Sequence, residues 1–118
     1  MRVFLAALAV LAASVAQGQD WAQRSDDRSL SRDEVVALTE GRTLVFFDEG
    51  RSEYSAGGAY SYTYASGESA FGRYEIDQEG TVCVFYRNGF SRCDRYVAAG
   101  ERIVLLDERG QRFPLKNW

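Results

Sequence analysis

The chain has 118 residues, with 14 basic and 17 acidic side chains, two cysteines, one proline and no histidine. A net charge of −3, with the arginines spread along the chain, argues against nucleic acid or an anionic membrane surface, both of which favour a clustered basic face. The absence of histidine removes every Ser-His, Cys-His and His-metal arrangement at once.

Residues 1–18 read as a secretory signal peptide. Met1-Arg2 gives a short positive start, Val3 to Val15 is an apolar run, and Ser14, Ala16 and Gly18 are small. Cleavage after Ala16 and cleavage after Gly18 both fit. The apolar run is shorter than the ~20 residues of a membrane span, and no cysteine follows it that would take a lipid anchor. Loss of this segment leaves about 100 residues, enough for one small domain. The expected compartment is therefore the periplasm or the secreted space, where two cysteines pair more readily than they stay free.

Residues 19–30 are polar without a clear period and read as a flexible leader, with Trp21 available to dock on the body. Residues 31–118 read as a single β-domain with an N-terminal helix. Ser31, with Glu34 three residues on, is a capping-box pattern, Leu30, Val35 and Leu38 share one helical face, and Gly41 is a natural stop. The period then turns strand-like. Residues 43–47 are β-branched and aromatic, residues 52–54 make a short return, and residues 59–65 alternate. A strand follows over residues 71–76, then the cysteine hairpin from the turn at 77–80 to its close at 96–97, and a last pair over 102–106 and 111–115. Turn glycines at 50, 58, 67, 80, 89, 100 and 110 recur about every ten residues. That spacing predicts a mainly β fold: an antiparallel meander forming a small barrel or strongly curved sheet, with one short N-terminal α-helix across an open end.

The cysteines fix one register. A two-residue Asn88-Gly89 loop would leave them diagonal. A three-residue loop, Arg87-Asn88-Gly89, with Gly89 left-handed, sets Tyr86 opposite Phe90 and Cys83 opposite Cys93. Directly opposed residues have Cβ atoms about 4.5–5.5 Å apart, near the reach of a disulfide. The expectation is a cross-strand Cys83–Cys93 bridge with a structural role, since the spacing is not Cys-x-x-Cys.

Gly41-Arg42-Thr43-Leu44, Gly72-Arg73-Tyr74-Glu75-Ile76, and Val82-Cys83-Val84-Phe85 with Cys93-Asp94-Arg95-Tyr96 together resemble a group of small proteobacterial secreted proteins of unknown function. In that group a helix runs into a Gly-x-Thr strand start, a Gly-x-aromatic strand and a paired-cysteine hairpin. The group more often has Trp where this chain has Tyr74, and Asp-Gly where it has Ser66-Gly67. The resemblance implies fold and compartment and, the group having no settled activity, no function. A second stretch, Ser55-Ala56-Gly57-Gly58-Ala59-Tyr60, is similar to the small-residue loop that C-type periplasmic lysozyme inhibitors insert into their target's cleft. Those inhibitors are also disulfide-bearing β-barrels.

Tyr60, Tyr62 and Tyr64 form the clearest side-chain stripe. Phenols offer a stacking face and a polar tip suited to sugars, peptides or aromatic ligands, although a stripe of this period also fits a barrel interior. Asp48-Glu49, Asp77 with Glu79, and Asp107-Glu108 fall in turns, where solvated acids are ordinary and no EF-type ligand spacing appears. Arg73, Arg92 and Arg95 lie near the cysteines, as an anion-binding spot or as partners of Glu75 and Asp94. No cofactor, metal or catalytic residue is expected. The leading expectation is a non-enzymatic periplasmic or secreted binding module, its partner an envelope protein or small ligand met at Tyr60, Tyr62 and Tyr64 or at Ser55, Gly57 and Gly58. The alternatives are an inhibitor of a cell-wall hydrolase, a structural envelope protein, and a hydrolase whose two carboxylates would have to converge in a pocket.

Overall fold

Side chains alternate between buried and exposed through most of residues 21–118, the part of the chain that the computed structural model describes. The expected signal peptide, its two cleavage points and the first two leader residues lie outside it. The elements are β1 (Arg28–Ser29), α1 (Arg32–Thr39), β2 (Arg42–Phe46), β3 (Arg51–Tyr54), β4 (Ala59–Thr63), β5 (Ser69–Ile76), β6 (Val82–Tyr86), β7 (Ser91–Ala99), β8 (Arg102–Asp107) and β9 (Arg112–Asn117). From β2 to β9 each strand pairs antiparallel with the next, and β9 returns to β2, so eight strands close into a barrel. Closure leaves no free sheet edge on the meander. The mainly β barrel with one short helix is the architecture read from the turn spacing.

Six of the seven hairpins use one device. In each, the residue before a three-residue loop donates its N–H to the carbonyl after it, as from Tyr86 to Phe90 (2.8 Å), and the loop's third residue donates back, as from Gly89 to Tyr86 (3.1 Å). The third position has positive φ, which glycine takes without a Cβ clash; Gly89 sits at φ 93°. This is the loop that pairs Cys83 with Cys93, and the two are bonded. The bridge lies on the outer wall, because Val82 and Val84, on either side of Cys83, are wholly buried. The exception is β7–β8, where Ala99 pairs with Arg102 across two residues; the β2–β3 turn keeps the device, but Glu49, not glycine, takes the positive φ (71°), and Gly50 follows it.

The interior set is Leu44, Phe46, Tyr54, Tyr60, Val82, Val84, Tyr96, Leu105 and Leu115. On β5 the inward position Gly72 lets strands approach closely, since a Cβ there would collide with the Phe85 carbonyl. Helix α1 has the expected capping box, with Glu34 N–H donating to the Ser31 hydroxyl (3.2 Å) and Ser31 N–H to the Glu34 carboxylate (3.0 Å). The helix adds Val35 and Leu38 to the barrel core. Being only eight residues long, it depends on that burial for its stability.

The leader reading needs correction from Trp21 onward. β7 is longer than β6, which pairs only with Ser91 to Asp94; beyond it, β1 pairs with Val97 and Ala98. The segment therefore fills the gap where β6 ends. Asp27, with 1% of its side chain exposed, forms an ion pair with Arg112 (2.6 Å), and Trp21 packs on Val97, Val104 and Leu106, apolar residues on the outer wall. Arg95 lies over the Trp21 ring, 4.9 Å from its centroid. An ion pair between residues 85 positions apart, bridging strap and β9, is invisible to local periodicity.

Candidate functional site

A closed barrel has two ends, and this sequence treats them differently. The end reached by the β3–β4, β5–β6 and β7–β8 turns receives α1. The other end, formed by the β2–β3, β4–β5, β6–β7 and β8–β9 turns, opens into a cavity of about 440 Å³. Phe46, Tyr62, Leu105 and Phe113 wall it, and Asp48, Tyr64, Asp107, Arg109 and Gln111 stand around its mouth.

The base is charged. Arg92 and Asp94 alternate with Cys93 on β7 and share the inner face with Tyr96. Asp94 has no exposed side-chain surface, whereas Arg92 keeps 31% of its own. The Arg92 Nε donates to both Asp94 oxygens (3.2 and 3.0 Å), one Nη donates to the Tyr60 hydroxyl (2.9 Å), and the other to the Tyr86 hydroxyl. Tyr60 shares a further hydrogen bond with Ser52 (2.9 Å). The guanidinium also lies 5.6–5.9 Å from the ring centroids of Tyr60, Tyr62 and Tyr86. Below this layer, the Tyr54 and Tyr96 hydroxyls share a bond of 2.7 Å. Among the described residues no buried side-chain nitrogen or oxygen lacks a partner.

Burial sets the titration of these groups. It pushes the Asp94 carboxyl up to about 6, against the pull of Arg92, and Asp107 and Glu108 add to the rise. Burial opposes the Arg92 charge most strongly, but the Asp94 carboxylate together with Tyr60 and Tyr86 outweighs it, so the pKa of Arg92 lies above its ordinary value. Burial, then the Asp48 carboxylate, lifts Tyr62 to about 12. Tyr54 and Tyr96 are raised well above 10 for the same first reason. At neutral pH the base is thus an ion pair, with the Tyr54, Tyr62 and Tyr96 phenols near it neutral.

The tyrosine stripe lies inside the barrel and ascends it. Tyr60 is buried at the base, Tyr62 forms wall, and Tyr64 stands half-exposed at the mouth, edge-on to Tyr62 with centroids 4.9 Å apart. Ser55, Gly57 and Gly58 are at the opposite end, so the two groups of candidate residues do not form one site. Their tip is held from beneath: the Tyr74 hydroxyl donates to the Ser55 carbonyl (2.7 Å) and the Tyr74 N–H to the Gly58 carbonyl (2.9 Å). The three arginines also separate. Arg73 faces out over Phe85 and pairs with Glu75, Arg95 faces Trp21, and Arg92 alone turns inward, onto Asp94.

Of the turn acids, Asp48 and Asp107 reach the mouth, where each also accepts backbone N–H groups of its own turn. Asp77 and Glu79 lie at the helix end. Asp94 and Asp107 are cross-strand neighbours, two carboxylates brought together by the β7–β8 pairing. Asp94 borders the cavity beneath Arg92, but its side chain has no solvent-accessible surface. The sequence reading offered Arg92 as part of an anion-binding spot or as a partner of Asp94 but did not place the two inside the barrel, although its own register held the signal. With Cys83 and Cys93 on the outside, Arg92 and Asp94 must share the inside with Val84 and Val82.

Gly50 has a role beyond its turn. A Cβ there would overlap the Tyr62 hydroxyl, so the missing side chain makes room for a wall residue of the cavity. Among the described residues no group of three His, Cys, Asp or Glu is placed to hold a metal ion, and no helix is long and apolar enough to cross a membrane. No family model, no curated protein and no solved structure matches the chain.

Proposed function

We propose that this chain is a non-enzymatic binding module of the periplasm or secreted space that takes a small ligand into the open end of its barrel. The observation that carries this reading is the cavity itself. Its volume of about 440 Å³ falls within the roughly 300–1,000 Å³ of small-molecule sites, and it combines apolar and aromatic walls with a few polar groups at base and rim. The disulfide suits an oxidising compartment. Against a carboxylate hydrolase stands the full burial of Asp94, which leaves only Asp107 of the adjacent pair within a substrate's reach.

The test is a fragment screen by two-dimensional NMR, using protein expressed as the full chain and purified from the periplasm. Hits should shift the amides of Tyr62, Leu105 and Phe113. A screen whose hits all fall outside the cavity would refute the reading. The hydrolase-inhibitor alternative draws support from the exposed Ala56-Gly57 tip that Tyr74 holds in place. Under that reading, Gly57→Trp abolishes capture of a cell-wall hydrolase and leaves the cavity unchanged.

A further inference from the structure

Resting on the binding-module reading, we propose that the cavity takes a small, apolar carboxylic acid, with its carboxylate seated on Arg92. A guanidinium carries five N–H donors. Here three groups are engaged: Nε with Asp94, one Nη with Tyr60 and the other with Tyr86. One N–H on each Nη has no partner among the described residues. Exposure says which side of the ion pair an incoming molecule meets. Both residues border the cavity, but the Asp94 side chain has no solvent-accessible surface whereas Arg92 keeps 31% of its own. A ligand therefore encounters donors at the base, and two N–H groups of one planar fork match the two oxygens of a carboxylate.

The same geometry disfavours the other charge types. Aromatic walls often signal a cage for an organic cation. In this barrel the faces of Tyr60, Tyr62 and Tyr86 already surround the protein's own cation, so a second one would meet repulsion at the base. A dianion such as a phosphate ester would pass Asp48 and Asp107 at the mouth with only Arg109 to offset them. One negative charge on an apolar body fits best. The body would lie against Phe46, Leu105 and Phe113, with its far end beside Tyr64.

The experiment compares three probes of one shape on the unmodified protein: 3-phenylpropanoate, its primary amide and 3-phenylpropylamine. NMR titration should show the acid saturating shifts at the Arg92 Nε–H and at the amides of Tyr62, Leu105 and Phe113. The amide should bind at least tenfold more weakly, and the amine should show no saturable shift. Amide or amine binding in the cavity as tightly as the acid would overturn the carboxylate assignment and leave the binding-module reading intact. No cavity shifts from any of the three, with neutral fragments from the screen still binding, would have the same meaning; no cavity shifts from any compound would overturn both. In the double variant Arg92→Gln/Asp94→Asn, which removes both charges and strands neither, the acid should lose its advantage over the amide. If that variant does not fold, the probe comparison on the unmodified protein decides alone.

Discussion

Asp94 should make the protein less stable as the pH rises from acid to neutral. Its carboxylate is wholly buried, and among the described residues Arg92 is its only ion-pair partner. Burial nevertheless lifts it from an ordinary 3.8 to about 6, which means that the attraction of Arg92 does not repay the lost hydration. In the unfolded chain the same carboxyl titrates near its ordinary value. Between about pH 4 and 6 the folded protein therefore holds a proton that the unfolded chain has released. A rise of about two units, at ~1.36 kcal/mol each, corresponds to about 3 kcal/mol. Because the folded value is the higher one, that stability is fully present below the unfolded value and is lost as the pH climbs through about 6. Asp27 and Glu34 act in the opposite sense. Hydrogen bonds from Arg112 lower the first, those from Arg28 the second, and their contributions vanish as the pH falls. Subtracting the curve of an Asp94→Asn variant cancels both. Urea unfolding followed by circular dichroism should show wild type minus variant falling by about 3 kcal/mol between roughly pH 3.5 and 7.5. A difference that stays flat or rises would show that Arg92 fully compensates the buried charge.

The outer-wall bridge closes a loop with a sequence separation of 10, so Cys83→Ser/Cys93→Ser should lose about 3 kcal/mol through the unfolded chain. The melting temperature should drop by roughly 10–20 °C with the far-ultraviolet spectrum of the folded barrel unchanged; equal melting of the two proteins would sink that account. Gly50→Ala should displace the Tyr62 hydroxyl, weakening cavity ligands at least tenfold while unfolding stays cooperative, and unchanged Tyr62 resonances would contradict it. Arg112→Ala leaves the buried Asp27 carboxylate without its ion-pair partner and should cost about 2 kcal/mol. Faster hydrogen exchange confined to β1 and the outer faces of β7 and β8 is the expected signature, and uniform loss across the barrel would refute the strap.

What could be read from the sequence followed distance along the chain. Hairpins are local, and a loop of three residues with a left-handed third position fixes register within ten residues. The cysteine pairing and the meander were therefore legible. The helix was equally local, with Ser31 and Glu34 capping each other across three positions. The strap was not, because Asp27 gains its partner from β9 and Trp21 its apolar floor from β7 and β8, near the far end of the chain. Gly50 was recognised as a turn glycine, yet the left-handed residue is Glu49, and the need for glycine comes from Tyr62 on another strand. The tyrosine stripe was visible as a stripe. Its orientation depended on barrel closure, which no single hairpin dictates.

The inner face of β7 is the most informative departure from a simple packing rule. Its sequence Arg92, Asp94, Tyr96 runs from charged to aromatic along the same wall, while the facing positions of β6, Val84 and Val82, stay aliphatic. If the barrel needed only to be filled, apolar side chains of similar volume at 92 and 94 would serve stability as well or better than a buried ion pair. At the helix end the chain does choose that solution, closing over Val35, Leu38 and Leu44. Inside the barrel, among the described residues, the charged solution occurs where the barrel is open and Arg92 meets the cavity. Local rules of stable packing are relaxed most often where a protein meets something else. The asymmetry between the two ends therefore argues for a ligand at the open one more strongly than the cavity's size does.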